Sequence, residues 1–143
     1  MSDWNKAITE EFRANEGKVG GMYKGAALLL LTTIGRKSGK PYTVPLGYQT
    51  DAERLIIIAG NTNPDWYHNI LAHPQVKIEL GKESFEAIAS PIEGEQKDFF
   101  LQRAHQNMKA VAQRSEDYAK VYAELADNFS KNVPVVALQR VER

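Results

Sequence analysis

Three runs of β-forming residues, 26–33, 42–50 and 54–59, follow one another with only short turn segments between them. That spacing constrains the fold more than any other feature of the chain. Parallel neighbours need a crossover of a dozen or more residues, whereas antiparallel neighbours need only a tight turn. Thr50-Asp51-Ala52-Glu53 has the composition of a hairpin turn. Two further runs, 76–80 and 84–89, are joined through Gly81-Lys82-Glu83, and residues 133–141 read as a final strand. The expected class is α+β, a mostly antiparallel sheet or barrel with helices around it and no βαβ unit.

Apolar spacing marks the helices. Trp4, Ile8 and Phe12 recur at intervals of four after a cap at Ser2 or Asp3, and Asn15-Glu16-Gly17 ends that segment. A short helix is expected over residues 64–72, with Pro64 in its first position and Asn63 as its cap. Leu101, Ala104, Met108 and Val111 mark a face of a later helix, and Tyr118, Tyr122, Leu125 and Phe129 a face of another. A length of 143 residues fits one domain with its own core.

Several kinds of chemistry are excluded by what the chain carries. It has no cysteine, which removes disulfides, thiolate catalysis and cysteine-ligated metals, and agrees with a cytoplasmic protein. His68 and His73 stand five apart, on different faces of a helix, and His105 is distant, so no metal site is expected. The longest apolar run, 26–34, is far below the roughly 20 residues of a spanning helix, and the first residues do not read as a signal sequence. No membrane span is expected; association with a membrane surface is left open. Net charge is zero, which makes a poor electrostatic footprint for nucleic acid.

Within that neutral chain the charge is uneven. From residue 17 to residue 50 there are five cations, Lys18, Lys24, Arg36, Lys37 and Lys40, and no carboxylate. Three of the five lie on Gly35-Arg36-Lys37-Ser38-Gly39-Lys40-Pro41. Glycines at such a turn let backbone N–H groups approach a ligand, and Arg and Lys add charge-assisted hydrogen bonds, so the segment has the chemistry of an anion-binding loop. The alternative is a solvated basic hairpin. It is not a nucleotide-hydrolysing loop of the Walker type, because three residues rather than four separate its glycines and Pro41 follows Lys40. A second constellation, Asn61 to Asn69, sets Trp66 beside Tyr67 directly after a strand. Trp66 either lies against a planar ligand or closes one end of the sheet.

The residues also resemble a known family. Glu11-Phe12-Arg13-Ala14-Asn15, Gly20-Gly21, Leu29-Leu30-Leu31-Thr32-Thr33, Gly35-Arg36-Lys37-Ser38-Gly39, Pro45-Leu46, Pro64-Asp65-Trp66-Tyr67-His68-Asn69, Ala72-His73-Pro74 and Pro134-Val135-Val136 occur in the order of the deazaflavin-dependent nitroreductase and quinone-reductase family. The resemblance implies a split β-barrel of flavin-reductase type. It also implies coenzyme F420 (8-hydroxy-5-deazaflavin), a hydride carrier with a phosphate, lactate and oligoglutamate tail. By the same analogy Arg36, Lys37, Ser38, Gly39 and Lys40 take the tail. Val44, Pro45, Leu46, Ile58, Ala59, Gly60 and Asn61 hold the ring, with Trp66 beside it. Trp4, Ile8 and Phe12, on a lid formed by residues 1–16, would face the substrate together with Tyr118 and Tyr122. Tyr122 is the candidate to hydrogen-bond the acceptor carbonyl.

The implied reaction is hydride transfer to a small electron-poor acceptor: a quinone, an enone or unsaturated lactone, or a nitroaromatic. Two alternatives stand beside it, an FMN-dependent split-barrel reductase and a non-catalytic cofactor-binding protein. The chain departs from the family in two places. Residues 60–63 replace a longer segment with a Ser-Lys-Gly-like stretch, and Tyr42 stands where many relatives have a second Arg. Oligomeric state is not legible.

Overall fold

A computed structural model describes residues 3–15, 28–59, 64–113, 116, 119 and 133–141. Its strands are β1 (Leu28–Ile34), β2 (Pro41–Asp51), β3 (Arg54–Ile58), β4 (Gln75–Leu80), β5 (Glu83–Pro91) and β6 (Val135–Arg140). They close into a barrel in the order β1-β2-β3-β6-β5-β4. Every neighbouring pair is antiparallel, and for β1–β2, β2–β3 and β4–β5 the hairpin spacing requires it. Ala52, at φ 54, makes the tight turn between β2 and β3. β6 comes last in the chain and fills the gap between β3 and β5.

Side chains alternate across each strand, and both faces of three strands are covered. Leu29 and Leu31 of β1, Ile57 of β3, Val76 and Ile78 of β4, Ala87 and Ala89 of β5, and Val136 and Leu138 of β6 fill the interior. Leu28 and Leu30 point the other way, under helix α1 (Asp3–Ala14), where they pack against Phe12 and Ile8. Ile56, Val135 and Ala137 point outward under helix α3 (Gly94–Ala112) and meet Ile92 and Phe100. This explains the unbroken apolar runs in the sequence: a strand buried on both faces has no polar side to alternate with. On β4, by contrast, Gln75 and Lys77 are exposed between buried Val76 and Ile78.

Polar contacts fasten the outer helices. Arg13 grips Glu79 with both ends of its guanidinium, Nε to Oε1 at 3.0 Å and Nη2 to Oε2 at 2.8 Å. Glu79 is the register partner of Leu30, so the ion pair and the Phe12 contact lie on one outer face. The hydrogen bond to Glu79 holds the Arg13 guanidinium above its ordinary pKa. A raised basic group contributes its stability below its unfolded pKa and loses it only as pH rises through the folded value, beyond the physiological range. On the opposite side Gln49 donates from Nε2 to the carbonyl of Phe100 at 3.0 Å, and Arg103 donates to the carbonyl of Thr50 at 3.1 Å. α3 starts earlier than the apolar spacing alone would place it, and Phe100 is its buried anchor.

Helix α2 (Asp65–Ala72) plugs the barrel, sending Trp66 and Ile70 into the interior cluster. Pro64 does not occupy the first helical position, as expected from sequence. It is the cap residue itself, extended at φ −76 and ψ 143, with no side-chain cap bond. The reason is local: a proline ring fixes φ near the value shared by helix and extended chain, and ψ decides between them. Tyr118, Tyr122, Leu125 and Phe129, the face read as a further helix, lie outside the described residues. No helix among the described residues is long and apolar enough to cross a membrane.

Candidate active site

The β1–β2 connection is a closed, hydrogen-bonded loop. Ile34 and Pro41 form the last rung of the hairpin. Beyond it the Gly35 N–H donates to the Lys40 carbonyl at 2.8 Å and the Gly39 N–H donates to the Gly35 carbonyl at 2.9 Å. The two glycines serve different ends. Gly39 has φ +70, and nothing stands within 4 Å of where its Cβ would be, so its role is conformational. Gly35 makes room: a Cβ there would lie 2.6 Å from Ser38 Oγ and 2.6 Å from the Tyr42 ring. Tyr42 packs into that space, its hydroxyl sharing a hydrogen bond with Ser38 Oγ at 3.0 Å, while Ser38 Oγ accepts from the Lys40 N–H at 3.2 Å. Replacing Gly39 with alanine should cost about 1–2 kcal/mol, the penalty of a left-handed backbone for an L-residue. Thermal or denaturant unfolding measures it, and an unchanged midpoint would show that the loop relaxes to another conformation.

The three loop cations are not equivalent. Lys37 and Lys40 stand exposed. Arg36 turns back onto α2: its Nη1 donates to Asn69 Oδ1 at 2.9 Å and to the Asp65 carbonyl at 3.4 Å, and its Nη2 pairs with Asp65 Oδ1 at 3.4 Å. Its side chain is only 33% exposed. Arg36 thus lies on an exposed turn, but a carboxylate and a buried amide compete for its donors. The free positive charge of the loop rests on Lys37 and Lys40.

Next to the loop the barrel wall is incomplete. β2 runs eleven residues, but its pairing with β3 covers only Tyr48 to Asp51. From Pro41 to Gly47 its second edge has no strand partner among the described residues. Val44, Pro45 and Leu46 lie on that stretch, half buried and hydrogen-bonded to β1 on the other side. Across the open seam Ile58 and Ala59 continue β3, and the Ala59 N–H is held by the Pro134 carbonyl at 3.0 Å. Among the described residues the seam thus leaves that edge of β2 without a strand partner, beside an apolar interior and next in sequence to a cationic loop.

Trp66 is 7% exposed and belongs to the interior cluster, with Tyr67 meeting its ring edge-on at 6.3 Å between centroids. It closes the barrel end, whatever else it touches. Ile8 and Phe12 are likewise turned onto Leu28 and Leu30, and Phe12 is 1% exposed. Through these two side chains α1 packs as outer core, because β1 presents two leucines on that face. Gly60, Asn61, Tyr118 and Tyr122 lie outside the described residues, as does the side chain of Trp4. Among the described residues no cluster of His, Asp and Glu could hold a metal ion.

Sequence reasoning missed Asn69 and Asp65 as functional neighbours of the loop. A signal was present: Trp66, Asn69 and Ile70 form the buried stripe of α2, and an amide in an apolar stripe calls for a partner.

Comparison with known proteins places this geometry. The model of the F420H(2)-dependent quinone reductase family matches residues 4–139. An F420H(2)-dependent quinone reductase of Mycobacterium tuberculosis is 32% identical over 134 residues, covering 90% of this chain and 85% of that protein. Among solved structures, an F420-H2 dependent reductase (FDR-A) superposes with a TM-score of 0.59 at 26% identity, covering 79% of this chain and 94% of its own. A domain-swapped dimer of 27% identity superposes with a TM-score of 0.58, covering 96% of this chain and 98% of its own.

Proposed function

The chain belongs to the F420H(2)-dependent quinone reductase family, and from that membership we propose how its own residues serve an oxidoreductase that uses coenzyme F420 to reduce a small electron-poor acceptor. The observation that carries the assignment is the cationic loop beside the open edge of β2. A planar heterocycle with polar edges suits a strand edge without a strand partner among the described residues, and a polyanionic tail suits exposed lysines. Val44, Pro45, Leu46, Ile58 and Ala59, with Gly60 and Asn61, hold the ring. Lys37, Lys40 and Ser38 receive the tail on the turn shaped by Gly39, and Arg36 borders it. Trp66 supports the ring from the barrel end.

When bound, reduced F420 supplies a hydride from C5 of its deazaflavin. The protein aligns the acceptor against that face and shields it from water, which is how positioning accelerates a bimolecular step. Tyr122, or a backbone N–H near Gly60 and Asn61, would hydrogen-bond the acceptor oxygen and stabilise negative charge developing there. Water delivers the final proton. α1 borders the substrate side as a lid, the whole chain working as one domain. A quinone is the acceptor class that the family name supports, with enones, unsaturated lactones and nitroaromatics as further candidates. A cytoplasmic location fits a cysteine-free chain.

Purified protein should oxidise reduced F420 in the presence of a soluble quinone, followed by the return of the oxidised deazaflavin absorbance. Reduced nicotinamides alone should support no turnover. Tight binding of FMN with no response to F420 would overturn the cofactor assignment, and binding of F420 without turnover of any acceptor class would leave a carrier protein instead of an enzyme.

A further inference from the structure

Asn69 is 4% exposed, yet it carries a full amide into the contact between α2 and the loop. Its Oδ1 accepts from the backbone N–H of Arg36 at 3.2 Å and from Arg36 Nη1 at 2.9 Å. Its Nδ2 donates to Thr33 Oγ1 at 3.1 Å, a buried hydroxyl on β1. One side chain therefore joins the strand that enters the loop, the residue just past Gly35, and the helix that carries Trp66 one turn earlier. Few side chains could do this. The task needs a short, neutral group that accepts on one atom and donates from the other, which is what an amide provides.

We propose that Asn69 is the positioning residue of the anion loop: it fixes the Arg36 backbone and guanidinium, and so presents the donors and lysines of residues 36–40 to the cofactor tail. This rests on reading the site as an F420 pocket. Arg36 is then a strut first, oriented by Asn69 and Asp65. The ring end of the pocket, on the β2–β3 seam, has none of its pairing through Asn69. Loss of the amide should consequently separate the two halves of the ligand. Without it the Arg36 N–H and the Thr33 hydroxyl lose a buried partner, and the loop gains freedom that tail binding must remove again.

The test uses the ligand-free protein and two ligands, F420 and its chromophore without phosphate or glutamates. In Asn69→Ala, hydrogen exchange at the Arg36 and Gly39 amides should accelerate by about tenfold or more, and F420 should bind about tenfold more weakly, the size of one lost buried hydrogen bond. The tail-less chromophore should bind within about twofold of wild type, since no ring contact is removed. Asn69→Asp keeps the acceptor for Arg36, and the Thr33 hydroxyl can rotate to donate to it, so exchange protection should largely return. If Asn69→Ala does not fold, Thr33→Val removes only the Nδ2 contact and should shift exchange and F420 affinity in the same direction by a smaller factor. Equal losses for both ligands, or unchanged exchange at Arg36, would overturn the proposal. Failure of the wild-type protein to bind F420 would instead overturn the reading of the pocket, while the exchange measurement would still decide whether Asn69 holds the loop.

Discussion

Replacing Phe12 with alanine should destabilise the protein by about 3–5 kcal/mol, the usual cost of truncating a fully buried phenylalanine. Phe12 is 1% exposed, and among the described residues its cluster comprises Leu28, Leu30 and the partly buried Ile8. Removing the ring leaves a void in a close-packed contact between helix and strand. Urea unfolding followed by circular dichroism measures the effect. A simple lid would behave differently, since its removal damages acceptor turnover and leaves folding intact. A loss below about 1 kcal/mol, within the range of ordinary surface substitutions, would mean that α1 is not docked in solution as it is here. If stability and turnover fall together, the helix acts as lid and outer core at once, and its opening must compete with the Phe12 contact and the Arg13–Glu79 pair.

The double replacement Lys37→Ala, Lys40→Ala should leave stability within about 0.5 kcal/mol, as for other exposed sites. Cofactor affinity should respond far more strongly. A charge-assisted hydrogen bond contributes roughly 1.5–3 kcal/mol, so each lysine that engages the tail should change the dissociation constant by about 10-fold to 150-fold. Fluorescence titration with F420 measures the change, and wild-type affinity should fall as salt rises. Arg36→Ala makes an informative contrast, because it should lower stability and affinity together. Unchanged affinity in the lysine double variant would return the loop to a solvated basic hairpin.

The barrel was legible because its determinants are local. Hairpin turns and two-sided apolar runs lie within a few residues of one another, and they specify antiparallel pairing without reference to the rest of the chain. The loop itself was legible for the same reason, since its cations and glycines are consecutive. The engagement of Arg36 with α2 was not legible because its partners, Asp65 and Asn69, are 29 and 33 residues away. A guanidinium looks the same in a sequence whether a ligand or a helix takes its donors. Phe12 shows the converse limit: a spacing of four establishes an amphipathic face but does not say whether that face meets a substrate or two leucines. The position of Pro64 turned on one dihedral angle that composition does not determine.

The place of β6 between β3 and β5 has a kinetic consequence. Leu55 pairs with Leu138 and Ser90 with Ala137, so the wall is sealed by the strand that leaves the ribosome after the other described strands. Until then β3 and β5 each keep an unpaired edge, the arrangement most prone to joining the wrong chain. Closure over such sequence distances is slow compared with hairpin formation. A nascent chain of this protein therefore passes through a stage with five strands, β1–β2–β3 and β4–β5, and an open side, during which protection from aggregation must come from speed or from a chaperone.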